Sequence, residues 1–281
     1  MTTASKLLTF AAIVTIAFAG AAAVGAAVGP VDVGSTASGH VMAAAESIPR
    51  GLAVAADGYR LAVDSSTVSA GRRSRFGFQI LDNDGAPVTR FDLLHDRRLH
   101  LIVLSRNLVD YLHLHPVMDN RGHWSVELPA RAPGSYRVFA DFQPTGAANL
   151  TLGTDITVAG AVRSVAVPSP SETASVDGYQ VTMSGTPSIG DTELSFSVEH
   201  AGQVVHTDPY LGAAGHLIAI RAGDLAYLHV HPHGADDSPV VTFTGEVPTA
   251  GTYRLFFDFS HGGTVRTASF TVVVTAHHGG N

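Results

Sequence analysis

Residues 100–116 read HLIVLSRNLVDYLHLHP, and residues 216–232 read HLIAIRAGDLAYLHVHP. In each copy a histidine opens a short apolar run, a polar turn follows, and a Tyr-Leu-His-x-His-Pro segment closes. His100, His113 and His115 correspond to His216, His229 and His231 at identical spacing. Side chains alternate across a strand with period two. His113 and His115 therefore share a face, as do His229 and His231. A four-residue loop, Asn107 to Asp110, pairs Arg106 with Tyr111 and Ile102 with His115. That register puts His100 on the face of His113 and His115, whereas a one-residue change of loop length moves it to the opposite face.

Outward from the first copy, the pattern is all-β from about Pro49 to Ala159. Tyr59–Val63 alternates, and so does Phe76–Ile80, which runs into the hairpin signal Asn83-Asp84-Gly85. Trp124–Leu128, Tyr136–Phe142 and about Leu150–Val158 complete seven or eight short strands. Strands of that length with regular turns predict an immunoglobulin-like β-sandwich. Tyr136 and Tyr253, each after a glycine corner, read as the corner tyrosines of such folds.

The pattern then restarts. Asp177-Gly178-Tyr179 repeats Asp57-Gly58-Tyr59, and Gly251-Thr252-Tyr253-Arg254 through Asp258-Phe259 repeats Gly134-Ser135-Tyr136-Arg137 through Asp141-Phe142. A period of about 116–120 residues is the size of one sandwich domain, so the expectation is two tandem modules. These are residues 49–159 and 177–276, joined by a Pro/Ser-bearing linker, 160–176, and followed by a short tail, 277–281.

The amino terminus differs in kind. Lys6 precedes an uncharged small and apolar run, Leu7 to Gly29. A secretory core is shorter, roughly 7–15 residues, and a membrane span needs about 17–25. Residues 1–29 therefore read as a hydrophobic signal or anchor helix, with the uncleaved single-pass anchor favoured over a cleaved signal, and residues 30–48 as a tether. Either way the modules are expected outside the cytoplasm, in the cell envelope, with the membrane as a partner through that helix.

Composition narrows the chemistry. The 281 residues carry a formal charge of −7 and no Lys/Arg cluster, which argues against nucleic acid as a partner. Fifteen histidines stand beside four methionines and no cysteine. A bound metal would have nitrogen and oxygen ligands, which suits copper(II), zinc or nickel, with copper first on affinity. The candidate ligands are His100, His113 and His115 in the first module and His216, His229 and His231 in the second. Asp141 and Asp258 hold equivalent places in otherwise apolar strands. An acid there is costly unless paired, so each is expected to steady an imidazole from behind or to pair with Arg137 or Arg254. His95, His123, His200, His206, His233 and His261 have no counterpart in the other module and read as surface. Met118, whose partner position is Gly234, is a lesser candidate for copper(I), and His40 and Met42 lie in the tether.

On these residues the chain resembles a group of exported actinobacterial proteins of unassigned function. They share His-Leu-Ile-x-x-x-Arg, then Tyr-x-His-x-His-Pro, then Gly-x-Tyr-Arg-x-Phe-x-Asp-Phe. More distantly it resembles the YtkA-like and CopC-like sandwiches linked to copper handling. That resemblance implies a non-enzymatic envelope protein with one copper or zinc site per module, in copper tolerance or delivery. The alternatives are an adhesive or structural protein whose histidines only stabilise hairpins, and a three-histidine metalloenzyme. No matched glutamate stands near the motif to serve such an enzyme as a base, and no serine-hydrolase, phosphate-loop or dinucleotide pattern is present.

Overall fold

Two face-to-face sheets form each half of the chain. The structure is a computed structural model and describes residues 49–228, 230–233 and 238–275. The hydrophobic helix and tether expected over 1–48, the tail at 277–281, and His229 all lie outside the described residues. Among the described residues no helix is long and apolar enough to cross a membrane.

In the first module one sheet runs, in spatial order, Ala55–Ala56, Tyr59–Val63, Ser74–Leu81, His123–Leu128 and Val117–Met118. The facing sheet runs Thr67–Val68, Leu150–Val158, Gly134–Pro144, Leu99–Ser105 and Tyr111–Leu114, with Phe91–Asp92 added to Gly134–Pro144. Phe76, Phe78, Trp124, Val138 and Phe142 fill the space between them. The second module repeats the plan. Thr173–Val176, Tyr179–Ser184, Gly190–His200, Val240–Val247 and Val230–Pro232 form one sheet, with Gln203–Val205 paired onto Gly190–His200. Tyr227–Leu228, His216–Arg221, Gly251–His261 and Thr264–Val274 form the other. The fold is all-β, two tandem immunoglobulin-like sandwiches. Segment 160–171 is exposed and free of regular structure. The expected linker is shorter than 160–176, because Thr173–Val176 already pairs with Tyr179–Ser184 in the second module.

Local chemistry accounts for the repeated signatures. Asp57 and Gly58 both have positive φ, 49° and 84°, and close a two-residue hairpin between Ala56 and Tyr59. Asp177 and Gly178 do the same at 46° and 81°. Such turns follow the right-handed twist of the strands and favour Asp-Gly. The Tyr136 hydroxyl donates to the Ala132 carbonyl at 2.9 Å, and the Tyr253 hydroxyl donates to the Thr249 carbonyl at 2.8 Å. Both are tyrosine corners.

A third apolar core joins the modules. Leu99–Ser105 is buried at every residue, and His216–Arg221 at all but its last. Leu101 and Val103 face their own sandwich, while Ile102 and Leu104 face outward and meet Ile218, Ile220 and Phe256 of the second module. Residues of Ile48–Asn281 make up one compact unit for this reason. Tyr111 stacks flat on Phe256, ring centroids 4.1 Å apart, and Tyr227 packs against Phe139 at 5.7 Å. The Arg254 guanidinium donates across the junction from Nε to the Leu108 carbonyl at 3.0 Å. Truncating Phe256 to Ala is expected to lower the unfolding free energy by about 3–5 kcal/mol, the usual cost of deleting a buried aromatic ring. Urea unfolding followed by Trp124 emission measures it. A loss under about 1 kcal/mol would mean that the junction contributes little.

Candidate metal centre at the module junction

The His100 strand and the His113 strand pair with Ile102 opposite His113 and Leu104 opposite Tyr111. This register differs from the expected one, in which Ile102 faced His115, by two residues. A shift by an even number preserves the face, so His100 and His113 still project together. The loop keeps its four residues but moves to Arg106–Val109, with Leu108 at φ 64°.

The imidazoles gather at the junction. Ring centroids of His100, His113 and His115 lie 4.9–5.1 Å apart. His216 comes from the second module and stands 5.3 Å from His100 and 5.5 Å from His113. One ring nitrogen each from His100, His113 and His216 fit within 4.8 Å of one another. The trio expected in the second module includes His229, which lies outside the described residues; the cluster among the described residues draws on both modules, with His216 beside the first module's three histidines. The reason is the back-to-back packing of the inner sheets, which brings the two outward faces into contact.

Within the second copy the motif takes a different path. His115 follows directly on Tyr111–Leu114, still against the inner sheet. His231 has already joined Val230–Pro232, which pairs with Val240–Val247 in the other sheet. His231 is exposed, yet near enough to His95 for its charge to act there.

Hydrogen bonds orient two of the rings. His113 Nδ1 lies 2.8 Å from Asp258 Oδ2, a contact across the junction with both side chains almost wholly buried. Tyr111 and Thr267 hydroxyls also donate to that carboxylate. His100 Nε2 lies 2.9 Å from the Leu94 carbonyl. Both partners are acceptors, so each ring commits its N–H outward. The remaining nitrogens, His100 Nδ1 and His113 Nε2, then face each other at 2.9 Å. Two lone pairs do not stand that close with nothing between them. A proton or a metal cation has to bridge them, and holding a ring by its far nitrogen is how metal-binding imidazoles are fixed in one tautomer. Two more ring nitrogens, His115 Nε2 and His216 Nε2, are buried with no hydrogen-bond partner. Unpaired buried polar atoms are costly and rare.

Electrostatics keeps the lone pairs available. Burial, reinforced by the charge of His113, lowers His100 to about 4, His115 to about 3 and His216 to about 2. Tyr210, 6.4 Å ring to ring from both His115 and His216, is pushed up to about 12 by burial and by Asp258.

The two aspartates differ. Asp141 accepts from Thr151 Oγ1 at 2.9 Å and Asn149 Nδ2 at 3.0 Å. Neither aspartate pairs with an arginine. Arg137 donates to the Gly51 and Leu52 carbonyls, and Arg254 to Leu108 and Thr271. Met118 packs on the first sandwich core. His123 binds Asp64, His261 binds Tyr179, and His200, His206 and His233 are exposed. His95 is a correction: expected at the surface, it is half-buried with its ring 4.7 Å from His216, edge on. Periodicity carried no signal for it, because its place in the second module is held by Leu211.

The lowered pKa values set a direction for stability without added metal. Between pH 6.5 and about 4 the unfolded chain takes up protons that folded His100, His115 and His216 refuse. Stability is therefore full above pH 6.5 and falls as the pH drops, continuing toward about 2 for His216. Tm at pH 7.5 should exceed Tm at pH 5, with a shallower dependence in His216→Leu. Equal values at both pH values would contradict the burial of these rings.

A family model described as "Domain of unknown function (DUF8832)" matches residues 53–160 and again residues 174–276. Together the matches span more than half of the chain, and the chain belongs to this family, carrying its domain twice. No curated protein matches. Among solved structures, the Escherichia coli adhesin FdeC is similar at 17% identity and a TM-score of 0.26, over 80% of this chain and 66% of that one. The Yersinia pseudotuberculosis adhesin InvE gives 12% and 0.23 over 78% and 59%. Domains 5–6 of the S-layer protein SbsC give 16% and 0.24 over 77% and 97%.

Proposed function

We propose that this two-domain member of the family is a non-enzymatic envelope protein that holds a metal ion between its modules, copper before zinc, in copper tolerance or delivery. The support is the pair of ring nitrogens, His100 Nδ1 and His113 Nε2, that face each other at 2.9 Å while their outer nitrogens are committed to Leu94 and Asp258. A small opening of that gap would admit an ion at bonds of about 2.0–2.1 Å. His216 brings a third nitrogen within reach, and His115 a fourth ring, each with a buried Nε2 that lacks a partner. The donor set is nitrogen alone, in a chain without thiols, which ranks copper(II) above zinc on affinity. Asp258 holds the His113 ring from behind; Asp141 is turned to Asn149 and Thr151.

Titration of the full chain with copper(II) and with zinc(II) is expected to give one tightly held ion per chain at the junction, with micromolar affinity or better. His100→Ala/His113→Ala should abolish it, and Asp258→Asn should weaken it by about 10–100-fold. Saturation at about a hundred times Kd adds about 2.7 kcal/mol to the folded state and raises Tm by several degrees. A Tm unmoved by either ion would reduce the histidines to structural groups, as in an adhesive or scaffolding protein.

A further inference from the structure

Among the described residues, His95 is the one histidine of the cluster that the repeated motif does not contain. It sits in the turn Leu94–Arg97, closed by Leu94 N–H to the Arg97 carbonyl at 2.7 Å and Arg97 N–H to the Leu94 carbonyl at 3.0 Å. The two central residues, His95 and Asp96, both take positive φ, 47° and 61°. Such turns select Asn and Gly, and neither residue here is glycine. Backbone held this way marks a position that something other than local preference maintains.

The second module supplies a comparison within the same chain. Its equivalent turn, Tyr210–Ala213, has the same reciprocal hydrogen bonds, with Leu211 at φ 55° and Gly212 at φ 76°. The turn therefore needs no imidazole and accepts a leucine in that place. The two turns face each other, Asp96 Oδ2 lying within 3.2 Å of where a Cβ on Gly212 would be. The first turn brings an imidazole to the cluster; the second brings the phenol ring of Tyr210, 6.4 Å from His115 and from His216.

Exposure grades along the cluster. His231 is exposed, His95 is half-buried, and His216 and His100 are buried. The His95 ring is 4.7 Å from His216 and 6.2 Å from His100. His216 keeps a buried nitrogen without a partner. A hydrated cation entering an apolar junction cannot shed its waters all at once, since a bare charge there is prohibitively costly. It has to exchange them for imidazoles one by one, and a site of this kind needs an entry path.

We propose that His95 is the exchange ligand of the junction site, the ring that receives a copper or zinc ion at the solvent side and passes it to His216 and His100. This rests on the metal-binding function proposed above. It assigns His95 to the rate of loading and unloading, while His100, His113 and His216 set the affinity. Leu94, in the same turn, steadies His100 through its carbonyl, so the turn both holds a ligand and presents the entry ring.

The test uses the full chain, with copper(II) and zinc(II) delivered from and withdrawn into a chromophoric chelator by stopped flow. His95→Leu copies the residue found in the second turn, and near-ultraviolet circular dichroism checks that packing is retained; His95→Ala is the second variant, and His123→Ala, bonded to Asp64 elsewhere, the control. Loading and unloading in both His95 variants should slow by about tenfold or more, with Kd changed by less than about threefold and the control unchanged. Wild-type rates in the His95 variants would overturn the proposal and leave the metal site standing. A Kd weakened in step with faster release would overturn it too, making His95 a permanent ligand. If the wild-type chain binds neither ion, the metal function itself falls and this role with it.

Discussion

Burial of both faces of the two inner sheets is the constraint on which the rest of the molecule depends. Leu99–Ser105 and His216–Arg221 each have one face in their own sandwich and the other in the junction. A strand so placed has no solvated side, so every polar group on it needs a partner inside the protein. His100, second in the first strand, and His216, which opens the other, are 2% and 8% exposed. The junction thus collects imidazoles in a setting where protonation is disfavoured and lone pairs must be answered from within.

The Asp258–His113 contact shows how the modules depend on each other. Asp258 lies opposite His216 in the strand register, as Asp141 lies opposite His100. From equivalent positions the first carboxylate reaches a histidine of the other module, while the second turns to Asn149 and Thr151. The frame is close to symmetric, with Tyr111 against Phe256 on one side and Tyr227 against Phe139 on the other. The site built on it is not symmetric. His95 faces the cluster from one turn and Leu211 occupies the other, and the first copy of the motif stays on the inner sheet where the second crosses to the outer one. Duplication supplied the scaffold, and divergence at a few positions specialised one junction.

An ion held there would tie together two modules that already share an apolar core, so binding and docking would reinforce each other. The exposed segment 160–171 contributes little to that tie beyond keeping the modules on one chain. Two buried ring nitrogens, His115 Nε2 and His216 Nε2, have no hydrogen-bond partner that such an ion would have to displace.

Much was legible in the residues themselves. Alternation at Tyr59–Val63 and Phe76–Ile80, Asp-Gly turns and corner tyrosines are local chemistry, and they specify two sandwiches without reference to distant contacts. The triplets His100/His113/His115 and His216/His229/His231 were legible as candidates because duplication preserved their spacing. Even the face shared by His100 and His113 survived a register two residues from the expected one, since only odd shifts reverse a strand's faces. What the sequence could not determine was the grouping. The apolar runs of Leu99–Ser105 and His216–Ile220 say that both faces are covered, but not by what. The gathering of His216 with the first module's histidines, the reach of Asp258 to His113, and the approach of His95, whose place in the second module is held by Leu211, all follow from how two finished sandwiches pack. That packing was decided by shape and apolar area summed over the whole junction, a quantity that no local pattern records.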